Sequence, residues 1–297
     1  MKKGGFVLYM LLGVTLVVSG FATTERGLKE NDREMLYNVA EDYEELGDMG
    51  FKGFYPLDYK VAFSDSEKEI LVSYDEGKCN FSERKAVYGG LVGSIYQDGD
   101  EFEVIVPEYD TWITLENLND EPLSVVIWHE GFHAYQNSYH KAYEKVTSEV
   151  ISETDLSEVV DSNIEGKKLF SEMLKVLERI ITDENYGNLR EIAIEYSKIA
   201  NERRKLFGDE VNKSEDYYVM IEGTAYYVES QAARLENGEK LYRDNYLGTA
   251  SKYAEGNAKY YRLGMLECML LDKLAPDWKD SYGFDRTLDE VIEAYTR

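Results

Sequence analysis

The chain has 297 residues, and its 58 Asp and Glu against 33 Lys and Arg give a formal net charge of −25. This acidity argues against nucleic-acid binding, which depends largely on Lys and Arg displacing counterions from phosphates. Hydrophobic residues make up 43% of the sequence and aromatic residues 13%, which is enough apolar material for a packed core and excludes wholesale disorder.

The first residues have the pattern of a secretory signal. Lys2 and Lys3 precede the uncharged run Phe6 to Val18, and small residues follow as far as Ala22. Because a bilayer-spanning helix needs about 20 apolar residues, we predict a signal peptide over residues 1–22 that is cleaved near Ala22. The alternative is an uncleaved segment that associates with a membrane. In both cases we expect an extracytoplasmic protein, either secreted or anchored by its N-terminal segment.

The next region is predicted to contain one helix and a small sheet. Apolar residues recur at helical spacing over Asn31 to Leu46. Short strand-like runs follow at Tyr59 to Phe63, at Ile70 to Tyr74, and in a hairpin of Val87 to Ile95 with Glu101 to Val106. The last strand has an apolar face, so we expect it either to form a sheet edge that receives an extended peptide or to belong to the sheet core.

From Asp120 onward the pattern is almost wholly helical. Asp120 is a predicted N-cap, and Pro122 falls in the first turn, where its missing N–H costs little. Further helices are predicted over Ile164 to Ile181, Leu189 to Leu206, Asp216 to Leu235, Ala258 to Leu274 and Leu288 to Tyr295. A small antiparallel or mixed sheet followed by helices predicts the α+β class. We expect residues 23–297 to form a single domain, sheet-rich over 50–118 and helical over 120–297.

The chain contains two cysteines, Cys79 and Cys268. Two are too few for a disulfide scaffold. They are expected either to pair with each other or to be buried as free thiols.

Two of the three histidines frame the pentad His129-Glu130-Gly131-Phe132-His133. Histidines four residues apart on a helix project from one face and can hold one zinc ion, while the Glu between them reaches the metal-bound water. The apolar run before the pentad is expected to place the pair in a low-dielectric wall, and the small residues Gly131 and Ala134 are expected to leave room beside the metal. The alternative is a pair of core histidines satisfied by hydrogen bonds.

A catalytic zinc usually takes three protein ligands and keeps a fourth position for water. Glu222 is the best acidic candidate for the third ligand, because a lone carboxylate within an apolar helix is costly unless it is paired or metal-bound. Its rivals are Glu149 and Glu153, and the non-metal alternative is a Glu222 satisfied by a Tyr or Arg. His140 lies two turns beyond His133, about 10 Å along a helix, and is expected to line the pocket or lie on the surface.

The segment Ile127 to Gln136, together with the later Glu-Gly-x-Ala stretch that begins at Glu222, resembles zincin metallopeptidases of the gluzincin type. The resemblance implies His129, His133 and Glu222 as zinc ligands. It also implies Glu130 as the catalytic carboxylate.

The resemblance covers two short stretches and the order of sheet and helices. The Asn-Glu-x-x-Ser-Asp setting of thermolysin-like enzymes is absent, and so are the Gly-x-Met-x-Asn segment of aminopeptidase relatives and the third histidine of metzincins. The absence of the aminopeptidase segment argues against exopeptidase action. The remainder, including Tyr261 to Trp278, is similar to uncharacterised extracytoplasmic bacterial zincin-like proteins.

The predicted function is that of a secreted zinc-dependent metallopeptidase that hydrolyses peptide bonds of a peptide or protein substrate. A zinc-activated water attacks, with Glu130 as general base. The oxyanion needs a donor besides zinc, for which Tyr226 is the first candidate and the others are Tyr227, Tyr260, Tyr261 and His140. The acidic charge is expected either to steer cationic peptides or only to keep the surface solvated. The alternative function is that of a non-catalytic extracytoplasmic binding or scaffold protein on a zincin fold.

Overall fold

The computed structural model describes residues 27–89, 93–115, 123–138, 150–182 and 188–296. It has one five-stranded sheet on the N-terminal side and helices after it, which confirms the α+β prediction. Contacts divide the chain into two compact units. Several predicted features lie outside the described residues, namely the signal peptide, Asp120, Pro122, His140 and Glu149.

Over its described residues, the first unit contains the sheet and three helices. Its elements are α1 Glu30–Leu46, a 3-10 turn Pro56–Asp58, β1 Lys60–Ser64, β2 Lys68–Asp75, β3 Lys78–Lys85, β4 Ser94–Asp98, β5 Glu101–Pro107, α2 Tyr109–Leu115 and α3 Leu123–Ser138. The predicted lead-in helix and the first two predicted strands are confirmed as α1, β1 and β2. The strand β3 and the helix α2 were not predicted.

The sheet has the strand order β3-β2-β1-β5-β4. The pair β1–β5 is parallel and the other pairs are antiparallel, so the sheet is mixed. β2 and β3 form a hairpin through Glu76 and Gly77, whose φ angles of 44° and 78° are those of a two-residue turn that follows the twist of the strands. β5 pairs with β1 on one side and β4 on the other, so the expectation that it is a peptide-receiving edge is wrong and its place in the sheet core is confirmed.

Helix α3 packs on the sheet through β5 and β4, and it also contacts α1 and the 3-10 turn. Of its 16 residues, 14 are buried. The ring of Phe54 lies 5.9 Å from Trp128, 5.0 Å from Phe132 and 5.5 Å from Tyr135, measured between ring centroids. Aromatic packing therefore anchors the face of α3 that carries Trp128, Phe132 and Tyr135.

The second unit is helical apart from the segment 49–52. Its elements are α4 Glu153–Ser162, α5 Ile164–Thr182, α6 Leu189–Arg204, α7 Asp209–Tyr242, a π-helical turn Arg243–Leu247, α8 Gly248–Ala250, α9 Ala258–Leu274, a 3-10 turn Trp278–Ser281 and α10 Leu288–Ala294. The predicted helices of this region are confirmed as α5, α6, α7, α9 and α10, whereas α4 was not predicted. The largest helix contact is between α7 and α9, and α5 packs on α6 and α9.

Two further expectations concern the cysteines and the membrane. Cys79 and Cys268 are both free, and Cys268 is buried in α9. Among the helices of the described residues, none combines the length and the apolar character needed to cross a membrane.

Candidate metal centre

Helix α3 brings the two histidines of the pentad together. His129 and His133 lie on adjacent turns, and their Nε2 atoms are 3.0 Å apart. Each histidine is 2% exposed, and Glu130 between them is 3% exposed. Two imidazole nitrogens and a carboxylate are thus presented from one buried stretch of helix.

A glutamine one turn further along orients one of these imidazoles. Nδ1 of His133 lies 2.8 Å from Oε1 of Gln136, a fully buried side chain. Because an amide oxygen can only accept, the imidazole nitrogen Nδ1 is the donor, and the neutral ring then carries its lone pair on Nε2. This is the nitrogen that faces His129. Gln136 therefore holds His133 in the tautomer that binds a metal ion through Nε2.

The small residue of the pentad has a different role from the expected one. A Cβ built on Gly131 would lie 3.1 Å from Cα and Cβ of Pro56, in the 3-10 turn before β1. The prediction that Gly131 leaves room beside a metal is therefore wrong, because the missing side chain makes room for the turn that packs on α3.

Glu222 lies in the middle of α7 and is 1% exposed. The next residue, Gly223, is where α7 crosses α9: a Cβ on Gly223 would lie 2.5 Å from Cα of Gly264, and a Cβ on Gly264 would lie 2.4 Å from the carbonyl oxygen of Val219. Real Cβ atoms do not approach backbone so closely, so both positions require glycine. The Glu-Gly pair thus combines a buried acid with a close helix crossing that fixes the position of its backbone.

His129, His133 and Glu222 form a buried group that can hold a metal ion. One ligand atom from each residue can be chosen such that all three lie within 4.8 Å of one another, and this is the only such group among the described residues. Glu153 does not belong to it. Glu153 instead accepts a hydrogen bond of 2.6 Å from Nδ2 of Asn257.

The donor set fits a first-row transition metal. Two nitrogen atoms that each bind a tetrahedral zinc ion at about 2.0–2.1 Å are about 3.3 Å apart. The Nε2 atoms of His129 and His133 are 3.0 Å apart, which is close to this separation. Two imidazoles with one carboxylate are a ligand set found in catalytic zinc sites.

The first candidate for an oxyanion donor lies one turn after Glu222. The ring of Tyr226 packs against Tyr246 at 5.1 Å and against Tyr261 at 5.8 Å between centroids. Its side chain is half-buried. The catalytic role of Tyr226 stays a prediction.

Two of the other candidate tyrosines have hydroxyls engaged in hydrogen bonds within the helical unit. The hydroxyl of Tyr227 donates to Asp272 at 2.6 Å, and that of Tyr260 donates to Glu215 at 3.1 Å. Burial raises the pKa of both hydroxyls, since the phenolate would be poorly solvated. These two side chains have structural partners away from the histidines.

Sequence reasoning missed Gln136, although a signal was present. Residues three apart on a helix face each other, and a metal-bound histidine usually donates its second nitrogen to an acceptor. A glutamine three residues after His133 meets both conditions.

Comparison with known protein families, with curated proteins and with solved structures gave no match.

Proposed function

We propose that this protein is a zinc-dependent metallopeptidase. The observation that carries the proposal is the buried group of His129, His133 and Glu222, with Glu130 between the two histidines in the chain. Three protein ligands leave the fourth position of a tetrahedral zinc for water, as in catalytic sites, whereas structural sites use four. When bound, zinc would polarise the scissile carbonyl and lower the pKa of a water toward about 7.

The chain's own groups would perform the proton transfers. Glu130 would accept the proton of the attacking water and later give it to the leaving amine. Because Glu130 is only 3% exposed, bulk water would compete little for that carboxylate. Tyr226 would donate a hydrogen bond to the oxyanion, which needs a donor where the negative charge develops.

The sheet supports a peptide as the substrate. Within the described part of the chain, β4 is the last strand on its side of the sheet, and it contacts α3, which carries Glu130. An extended peptide can add to such a strand through backbone hydrogen bonds. We also propose that the protein acts outside the cytoplasm, either secreted or anchored, because residues 1–22 have the pattern of a signal.

One observation favours the second candidate, a non-catalytic binding or scaffold protein. Glu130 and both histidines are at most 3% exposed. A substrate reaches them only if covering side chains move aside, whereas a metal that stabilises the fold needs no such access.

Metal analysis and a peptide-library cleavage assay on the wild type and on Glu130→Gln separate the two candidates. The peptidase hypothesis predicts one zinc per chain in both proteins, with cleavage reduced on the order of 10²–10⁴-fold in the variant. Identical preparation of the variant controls for a contaminating protease. A wild type that holds zinc but cleaves nothing supports the binding protein, and a wild type without zinc contradicts the metal assignment.

A further inference from the structure

Gly93, immediately before β4, lies against the α3 side chains that include the proposed general base. A Cβ built on Gly93 would lie 2.8 Å from Oε1 of Glu130 and 2.8 Å from Cγ1 of Val126. Ordinary van der Waals contacts of a Cβ are longer than these distances by more than half an ångström. The two contacted residues are one turn apart on α3, so one face of that helix rests on Gly93.

The atoms that would meet this Cβ belong to side chains and not to the backbone, namely Cγ1 of Val126 and Oε1 of Glu130. A side chain at position 93 would therefore have to displace them. The constraint is space, and one atom that occupies the space is a carboxylate oxygen of Glu130.

We propose that Gly93 is a positioning residue for Glu130, and this inference rests on the proposed function. By having no side chain, Gly93 lets the carboxylate lie at the start of β4. A methyl group at position 93 pushes the carboxylate aside. The atoms nearest to that methyl group belong to Glu130 and Val126 and not to the two histidines or Glu222, so metal binding is preserved.

The test compares Gly93→Ala with Gly89→Ala. Gly89 is the matched control, because a Cβ there meets nothing within 4 Å and its φ is not positive. We expect Gly93→Ala to lower kcat about 10–100-fold, since a displacement of about 1 Å costs that much, with KM and zinc content unchanged. Gly89→Ala keeps wild-type kcat. Equal kcat in the two variants would overturn the proposal.

A second substitution separates positioning from a general loss of packing. Glu130→Asp withdraws the carboxylate by one methylene, so its cost overlaps with that of Gly93→Ala if both displace the same group. We expect the loss in the double variant to be at least fivefold smaller than the product of the single losses. Losses that multiply contradict the proposal. If Gly93→Ala folds poorly, the same cycle is measured in a Val126→Ala background, which relieves the apolar clash and keeps the one with Glu130.

A crystal structure of Gly93→Ala gives a readout that does not depend on activity. The carboxylate of Glu130 is expected to be displaced from its wild-type position while the two histidines stay in place. An unmoved carboxylate refutes the positioning role. If the wild type cleaves no peptide, the proposed function fails, but the displacement still decides whether Gly93 sets the position of Glu130.

Discussion

Helix α7 carries two buried acids two turns apart, and each has a different kind of partner. Glu215 is 5% exposed and Glu222 is 1% exposed. Glu215 receives two hydrogen bonds from the guanidinium of Arg203, at 2.5 and 2.8 Å, and a third from Tyr260. Glu222 instead belongs to the group with His129 and His133.

The comparison shows that a lone acid in an apolar helical sequence predicts a buried carboxylate. The sequence pattern does not predict whether the partner of that carboxylate is an arginine or a metal ion. At Glu215 an arginine neutralises the charge within the protein, which is the non-metal alternative considered for Glu222. Neutral imidazoles supply lone pairs rather than positive charge, so they and a carboxylate form a set that a cation completes. Mutation of Glu215 should therefore change the unfolding free energy and not zinc affinity, whereas mutation of Glu222 should change zinc affinity and not the unfolding free energy.

Loss of Arg203 is expected to have the largest effect. Arg203→Met leaves the Glu215 charge buried without its ion pair, which costs about 3–5 kcal/mol of unfolding free energy. Chemical denaturation should show the same loss with and without zinc. As a control, Arg234→Met removes an exposed pair with Glu239 and should cost less than about 1 kcal/mol. A loss at Arg203 as small as that of the control would mean that the buried pair is not what stabilises this region.

Glu222→Gln is expected to act on metal rather than on the fold. Removing a ligand should lower zinc affinity at least about 100-fold, the upper end of the effect of changes behind a ligand. The unfolding free energy without zinc should change by less than about 1 kcal/mol, because glutamine keeps the size and the hydrogen-bonding oxygen of the side chain. Glu215→Gln is the reciprocal control, with stability lost and zinc affinity retained. If Glu222→Gln binds zinc as tightly as the wild type, Glu222 is not a ligand.

A smaller effect on zinc affinity is expected at Gln136, which contacts the proposed ligand His133 and not the metal itself. Gln136→Leu removes the acceptor that holds the His133 tautomer and should weaken zinc binding about 10–100-fold in competition with a chelator. Gln136→Glu keeps an acceptor and should retain most of the affinity. Ser138→Ala, which loses only a hydrogen bond with Tyr59, serves as the control. Wild-type affinity in the leucine variant would contradict the role of Gln136.

A third buried acid, Glu267, is expected to affect the pH dependence of stability and not metal binding. Tyr196 donates to its Oε1, and its Oε2 has no hydrogen-bond partner among the described residues. Burial raises the pKa of Glu267 well above its ordinary value of 4.5, and the nearby charge of Asp289 raises it further. The folded protein therefore keeps a proton that the unfolded chain releases.

The sign of the pH dependence follows from this proton. As the pH rises above about 4.5, the folded state binds more protons than the unfolded state, so stability falls until the folded pKa is passed, by at most about 1.4 kcal/mol per pH unit. Glu267→Gln should remove this slope when unfolding free energies are measured from pH 5 to pH 8. An unchanged slope would mean that Glu267 is ionised in the folded protein.

Local patterns predicted most of the fold. The bounds of α9 match the predicted range Ala258 to Leu274, because apolar spacing over a long helix is a strong signal. β3 was missed because its side chains are mostly exposed and half of them are charged, which leaves no buried run to detect. The place of β5 was open because alternation along one strand does not encode which strands lie beside it.

The residues of the candidate site also fall into two groups: those that local sequence patterns predict, and those that depend on how the elements pack. The histidine pair and the lone acid Glu222 follow from spacing and burial within single helices, and Gln136 could have been found by the same rule. Gly93 could not, because its closeness to Glu130 arises only when β4 packs on α3. The true reason for Gly131 was equally hidden, since it depends on a turn far away in sequence.

The most direct test of the central claim is a crystal structure of the zinc-loaded protein with anomalous data collected at the zinc edge. We predict one strong peak bonded at about 2.0–2.2 Å to Nε2 of His129, to Nε2 of His133 and to a carboxylate oxygen of Glu222. A peak without Glu222 among its ligands, or no peak at the two histidines, would contradict it.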